Sequence, residues 1–303
     1  MSTSSFSLND GTSIPALGFG TGTALMKQDA VDPTKTALRT GFTHFDTAQM
    51  YRTEDQLAAA LADCGVPREK LYVTTKVAEL KEGETVKDAL QESLSKLKLD
   101  YVDLYLVHAP MHFSGRMKEV WKEMEAVKRE GLTRSIGVSN FEIQDFEEFL
   151  SEATIKPAVN QIEFHPYVLG AFESLLEYSN KHGIRLESYG VLAPITREPG
   201  GPLDPVLSSV RTRLEQTWGK PVTEGQVLFK WCLQKGVVVV TTSSKEDRMK
   251  EYLAVLDMPD LTPEEMAEID AAGRKKDRGD PELFGRYKQY VQLVRSRETN
   301  AQG

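Results

Sequence analysis

Cysteine is almost absent from this chain of 303 residues: there are two, Cys64 and Cys232, far apart and outside any CxxC pair. A disulfide framework or a thiolate metal site needs paired, closely spaced cysteines, so neither underlies the fold, and a reducing compartment is expected. Long apolar runs are missing too. Nothing approaches the roughly 18 consecutive apolar residues of a spanning helix, and the opening MSTSSFSLND has no basic start. Membrane insertion and export are therefore not expected, and the cytoplasm is. Positive charge is in deficit, with 37 Lys plus Arg against 45 Asp plus Glu and a net charge of -8. That balance repels polyanions, so nucleic acid is not an expected partner. Only three tryptophans occur, Trp121, Trp218 and Trp231; packing roles are expected, with Trp218 a candidate border of a pocket.

What is present is an ordinary globular mixture, 40% hydrophobic and 27% charged, able to build a large core. Eight β-rich runs recur, at 15–20, 43–47, 71–77, 102–108, 134–139, 157–164, 185–189 and 237–242. Several, such as YVDLYLVH and GVVVVTT, are nearly continuous in apolar residues, the pattern of strands covered on both faces in a parallel sheet. Between them lie amphipathic stretches at 33–40, 54–63, 83–99, 117–130, 142–151, 171–182, 223–234 and 246–255. In 83–99, for example, Val86, Leu90, Leu94 and Leu97 share one helical face. Eight strands alternating with eight helices predict a (β/α)8 barrel, the TIM-barrel class of α/β fold. Asn9-Asp10-Gly11 predicts an N-terminal β-hairpin beneath it. The Pro/Gly-rich stretch 190–206 reads as a loop over the site. Thr262, Pro263 and Glu265 predict a capped extra C-terminal helix, followed by a basic, aromatic tail. One domain spanning 1–303 is expected.

In such a barrel, reactive groups sit at the C-terminal ends of strands. Asp46 ends the second run, Tyr51 follows it, Lys76 ends the third and His108 the fourth. Each has an ordinary structural reading: helix cap, packed aromatic, solvated strand end, hydrogen-bonded core imidazole. Facing one mouth, they are chemically coherent. A phenol is a weak acid near neutrality unless a cation favours its anion, and Lys76 can be that cation, with Asp46 as its counter-charge. His108 can hydrogen-bond a carbonyl oxygen. No side chain supplies hydride, so the set calls for a nicotinamide cofactor. The glycines Gly18, Gly20 and Gly22 tempt a dinucleotide-fingerprint reading, with Asp46 as the ribose acid. The third position is Thr23, however, and the next helix starts too late, so a tight strand-end turn beside a ligand fits better. His108 and His112 are spaced like helical metal ligands, but Pro110 lies between them, and no metal site is expected.

GFTHFDTAQMYRTE (41–54), LYLVHAP (104–110) and GVSNF (137–141) resemble signatures of the aldo-keto reductases, and TTKV lies at a compatible spacing. The resemblance implies a tetrad of Asp46, Tyr51, Lys76 and His108, with Tyr51 as proton donor. It implies a cofactor site including Gly20, Thr21, Gly22, Asp46, Ser139, Asn140, Gln161, Tyr189, Gly190 and Leu192, with Tyr189 stacked on the nicotinamide. Read alone, Ser139-Asn140 is more often a turn or helix cap, Gln161 can be a buried polar layer and Tyr189 packing.

The chain departs from the family pattern in two places. Where a Pro-Lys-Ser-type motif commonly binds the adenosine 2'-phosphate, it reads Thr241, Thr242, Ser243, Ser244, Lys245, followed by Arg248. Hydroxyls, two cations and a helix N-terminus still make a phosphate site, so NADPH is expected. Solvated charges on a surface helix are the competing reading. Bulky tryptophans common in the family are replaced by Gly22 and Ala109, which implies a wider mouth with Tyr51, His108 and Ala109 on the substrate. Together with the segment Phe284-Gly285-Arg286-Tyr287, this is similar to fungal reductases of conjugated polyketones, ketopantoyl lactone and α-keto amides. A small-molecule carbonyl substrate and a monomer or weak dimer are expected. The other readings are a redox-sensing regulatory subunit with slow turnover, a general xylose or aldehyde reductase, and a cofactor-free hydrolase or isomerase using Asp46 and His108.

Overall fold

The computed structural model describes residues 4–22, 25–26, 28–62 and 64–276. Thr23 and the tail segment 284–287 lie outside the described residues. A short antiparallel hairpin, β1 (Ser5–Ser7) and β2 (Ser13–Pro15), turns through Gly11, whose positive φ of 84° suits glycine. Eight parallel strands then close a barrel: β3 (Leu17–Gly20), β4 (His44–Asp46), β5 (Tyr72–Val77), β6 (Val102–Val107), β7 (Thr133–Ser139), β8 (Val159–Glu163), β9 (Arg185–Tyr189) and β10 (Val238–Thr241), with β10 pairing β3. The expected TIM barrel with its hairpin is present.

The period of two along each strand separates a dry outer wall from a polar interior. Phe45, Val73, Val77, Tyr105, Val107, Ile136 and Val138 pack outward into the main core beneath the helices. The alternate residues face in. At the floor, Leu8 and Ile14 of the hairpin pack with Tyr72, Leu104, Val159 and Val238. Asp10 ties the hairpin turn to the barrel, its Oδ2 accepting from Lys128 Nζ at 2.5 Å and Ser135 Oγ at 2.8 Å. With the floor filled by apolar side chains, the inward polar residues higher up open toward the C-terminal ends of the strands.

The helical layer comprises α1 (Val31–Thr40), α2 (Glu54–Leu61), α3 (Val86–Leu97), α4 (Met117–Arg129), α5 (Ile143–Glu147), α6 (Leu169–His182), α7 (Ala193–Thr196), α8 (Asp204–Trp218), α9 (Glu224–Gln234), α10 (Glu246–Ala254) and α11 (Pro263–Lys276). Its ends follow local chemistry: Thr85 with Asp88 and Thr223 with Gln226 form capping boxes at α3 and α9, and Thr262 with Glu265 does so at α11. Two expectations change. Part of the long interval before β10 is α8, whose Leu207, Val210 and Leu214 bury one face; the loop reading stopped short of that periodicity, and α7 interrupts the remainder. The helix expected over 142–151 is only five residues, continuing as turns. Trp121 and Trp231 are buried and donate to Ile155 O and Asp270 Oδ1, while Trp218 ends α8 with Lys220 over its ring.

Candidate active site

The centre of the site is an ion pair sealed inside the barrel. Asp46 ends β4 and Lys76 sits one residue from the end of β5, both on inward positions. Lys76 is 0% exposed and Asp46 3%. Lys76 Nζ donates to Asp46 Oδ1 at 2.6 Å, Asp46 Oδ2 at 2.7 Å and Thr47 O at 3.0 Å. A buried ammonium persists only when paired and saturated in this way. Burial opposes its charge, yet Asp46 and Tyr51 outweigh that and hold the Lys76 ammonium above its ordinary range.

Tyr51 closes a single turn of 3-10 helix, Gln49–Tyr51, immediately after β4. Arg52, next in the chain, takes a left-handed φ of 57° that ends the turn and leads into α2. Lys76 Nζ stands 4.9 Å from the centroid of the Tyr51 ring. Lys76 acts on the phenol in the expected direction, by charge and hydrogen bond, but burial is the larger influence and the phenol lies above its ordinary value of 10. Tyr51 is thus protonated at neutral pH, with a cation placed to favour its anion.

His108 follows β6 and meets Tyr51 edge to face, ring centroids 5.4 Å apart. Burial first, then Lys76 and His112, push its proton affinity well below the ordinary imidazole value, so it is neutral and can donate one N–H. Both oxygens of Asp46 are engaged, by Lys76 and by Gln161. This arrangement disfavours the reading of Asp46 and His108 as an independent acid and base pair.

Gly22 lies against Tyr51: a Cβ built there would be 2.8 Å from the phenol ring. The room left by this glycine is therefore taken up in part by the tyrosine. Ala109 is wholly buried at the start of the next 3-10 turn.

A polar row continues around the mouth. Ser139 Oγ donates to Gln161 O at 2.8 Å; Asn140, at a left-handed φ of 61°, donates to His108 O at 3.0 Å and accepts from Tyr189 Oη at 2.7 Å. Gly190 turns out of β9 at φ 74°, with Glu163 Oε1 3.3 Å from a built Cβ, and Leu192 precedes α7. Gly20 ends β3, and the Thr21 hydroxyl bonds Thr53 Oγ1 at 2.8 Å and Asp46 O at 3.2 Å, a structural engagement. After β10, Thr242 Oγ1 is buried with no partner among the described residues, while exposed Ser244, Lys245 and Arg248 flank the start of α10. An orphaned hydroxyl, a left-handed asparagine carrying a tyrosine and a row of amide and hydroxyl groups fit the polar groups of a nicotinamide dinucleotide.

Sequence reasoning missed two inward residues behind this row, Glu187 and His44. Gln161 Nε2 donates to both Asp46 Oδ2 and Glu187 Oε2, each at 2.8 Å, and Glu187 Oε1 is 3.6 Å from His44 Nε2. The alternation of Arg185, Glu187 and Tyr189 in β9 was the available signal.

The barrel mouth brings together a phenol, a buried ammonium–carboxylate pair and a neutral imidazole, groups suited to giving up a proton and to stabilising negative charge. A model of the aldo/keto reductase family matches residues 16–274. The chain is 43% identical over 253 residues to an NAD/NADP-dependent indole-3-acetaldehyde reductase of Schizosaccharomyces pombe, covering 80% of this chain and 86% of that protein. It is 36% identical to a glyoxal reductase of Bacillus subtilis (88% and 92% covered) and 32% identical to an NADPH-dependent alpha-keto amide reductase of Saccharomyces cerevisiae (95% and 98%). A crystal structure of an aldo/keto reductase from Brucella melitensis superimposes with a TM-score of 0.78 at 31% identity, covering 90% of this chain and all of that one. The chain belongs to the aldo/keto reductase family and is an oxidoreductase of that family. No helix among the described residues is long and apolar enough to cross a membrane.

Because the Tyr51 ring already fills the space beside Gly22, Gly22→Ala should displace that ring. A fall in kcat of about tenfold or more is expected, larger than any change in cofactor affinity. Steady-state kinetics and fluorescence titration check this, and an unchanged kcat contradicts it.

Proposed function

We propose that the protein reduces ketone and aldehyde carbonyls with NADPH, Tyr51 being the proton donor, and that its preferred substrates carry an adjacent carbonyl: α-dicarbonyls, ketolactones, or α-keto amides and esters. The carrying observation is the wholly buried Lys76, paired with Asp46 and set 4.9 Å from the Tyr51 ring centroid. Such an arrangement has no role in packing that an apolar side chain would not fill better. When bound, the nicotinamide supplies the hydride for the carbonyl carbon. Tyr51 holds at its Oη the proton destined for the carbonyl oxygen, and Lys76 stabilises the phenolate left behind. His108 donates its N–H to the same oxygen and stabilises the negative charge developing there. Ser139, Asn140 and Gln161 would hold the carboxamide, and Tyr189 would lie along the ring. The substrate reading draws on Gly22 and Ala109 in place of bulky walls and on the names of two relatives, a glyoxal reductase and an alpha-keto amide reductase.

Tyr51→Phe should lower kcat by about two to four orders of magnitude while NADPH affinity stays within about twofold. Retained turnover contradicts the assignment.

The cofactor preference rests on Lys245, Arg248 and the hydroxyls of 241–244. Against it stand Glu246 and Asp247 in the first turn of α10, and a relative that uses both cofactors. NADPH should exceed NADH about tenfold in kcat/KM, and Lys245→Ala with Arg248→Ala should erase most of that preference. Equal efficiency with NADH, or an unaltered preference in the double variant, contradicts the NADPH reading.

A panel of methylglyoxal, isatin, ketopantoyl lactone and α-keto esters should show kcat/KM at least about tenfold above benzaldehyde and xylose. Simple aldehydes reduced equally well would contradict the substrate reading.

A further inference from the structure

Glu187 has no place in the tetrad, yet it lies at the centre of the barrel, 0% exposed, in the middle of β9. Its two oxygens are in unlike surroundings. Oε2 accepts from Gln161 Nε2 at 2.8 Å. Oε1 receives no hydrogen bond among the described residues and faces His44 Nε2 at 3.6 Å. The Gln161 amide nitrogen carries two hydrogens, and both are committed, one to Glu187 and the other to Asp46 Oδ2. Toward any partner at the mouth, Gln161 can therefore accept through its carbonyl but not donate.

Charge balance decides the state of Glu187. The titratable groups facing it are His44 and Asp46 from β4, Tyr51 from the turn after it, and Tyr72 and Lys76 from β5. Lys76 neutralises Asp46, so an ionised Glu187 would leave one negative charge uncompensated in a sealed space. Oε2 is occupied as an acceptor, which leaves Oε1 to carry a proton.

We propose that Glu187 is a positioning residue for the nicotinamide pocket: as a neutral acid protonated on Oε1 it locks Gln161 in its accepting orientation, and its ionisation in alkali suppresses reduction by adding negative charge behind Tyr51. The proposal rests on the reading of the site as a carbonyl reductase. Burial, with Asp46 beside it, pushes the Glu187 carboxyl up to about 8, Gln161 and Lys76 opposing. His44 and His108 are displaced below neutrality, and Tyr51, Tyr72 and Lys76 lie above 10, so Glu187 titrates between the two sets. An ionised Glu187 raises the Tyr51 phenol further, making it a poorer proton donor.

The test compares pH profiles and cofactor binding in the full-length protein. In the wild type, kcat/KM should fall about tenfold between about pH 6 and pH 9. Glu187→Gln keeps an acceptor for Gln161 but cannot ionise, and should confine that fall to less than about threefold. Glu187→Leu removes the acceptor and should raise the NADPH dissociation constant about tenfold, with the cofactor KM affected more than kcat. A Glu187→Gln profile superimposable on the wild type, or wild-type NADPH affinity in Glu187→Leu, overturns the proposal. Should either variant fail to fold, the infrared carbonyl band of a buried protonated carboxyl decides. In wild-type protein it should be present near pH 7 and vanish by about pH 9.5; its absence at both pH values overturns the proposal. The pH profiles require an enzyme that already turns over, so failure of the reductase reading itself would show separately, in the wild type and in Tyr51→Phe.

Discussion

The ion pair between Lys76 and Asp46 is the constraint on which the site depends. Both groups are removed from water, and each is tolerable only because the other lies within 2.7 Å on a neighbouring strand. Taking away one partner would strand a buried charge, at a cost of about 3 to 5 kcal/mol. The pair therefore fixes the ends of β4 and β5 relative to each other. It also fixes the position from which a cation can act on Tyr51, because Thr47 O and the carboxylate hold the ammonium on one side.

Strand geometry turns this local requirement into a site. Inward residues recur every second position, so Asp46, Lys76, Gln161, Glu187 and Tyr189 are delivered to one chamber by four strands, while the intervening residues seal the wall against the helices. The hairpin closes the floor with Leu8 and Ile14, leaving the strand C-termini as the open end. Chemistry is thus concentrated where loops can bring in Tyr51, His108 and Asn140, and each loop is short and anchored: Arg52 and Asn140 take left-handed conformations, and Asn140 is bonded to His108 just after β6 and to Tyr189 at the end of β9.

The barrel was legible because continuous apolar strands and amphipathic helices alternate with little irregularity, and the convergence of Asp46, Tyr51, Lys76 and His108 because each stands at a strand end or just after it. The phenol's acidity was not legible. Lys76 argues for a stronger acid, but the burial that outweighs it emerges only when the barrel closes. Glu187 and His44 escaped notice because an isolated polar residue in a short strand means little until its cross-strand neighbours are known. Helix α8 was hidden by the proline and glycines before it, although Leu207, Val210 and Leu214 carry the helical period.

On the proposed reading, the buried pair serves proton donation and not stability. The charge-balanced double variant Asp46→Asn, Lys76→Met separates these, since replacing a buried ion pair with groups of similar volume is often neutral for folding. Thermal unfolding should leave it close to the wild type, while its kcat for an α-dicarbonyl with NADPH falls by about two to four orders of magnitude. Reduction within about tenfold of the wild-type rate by a folded double variant would contradict the account.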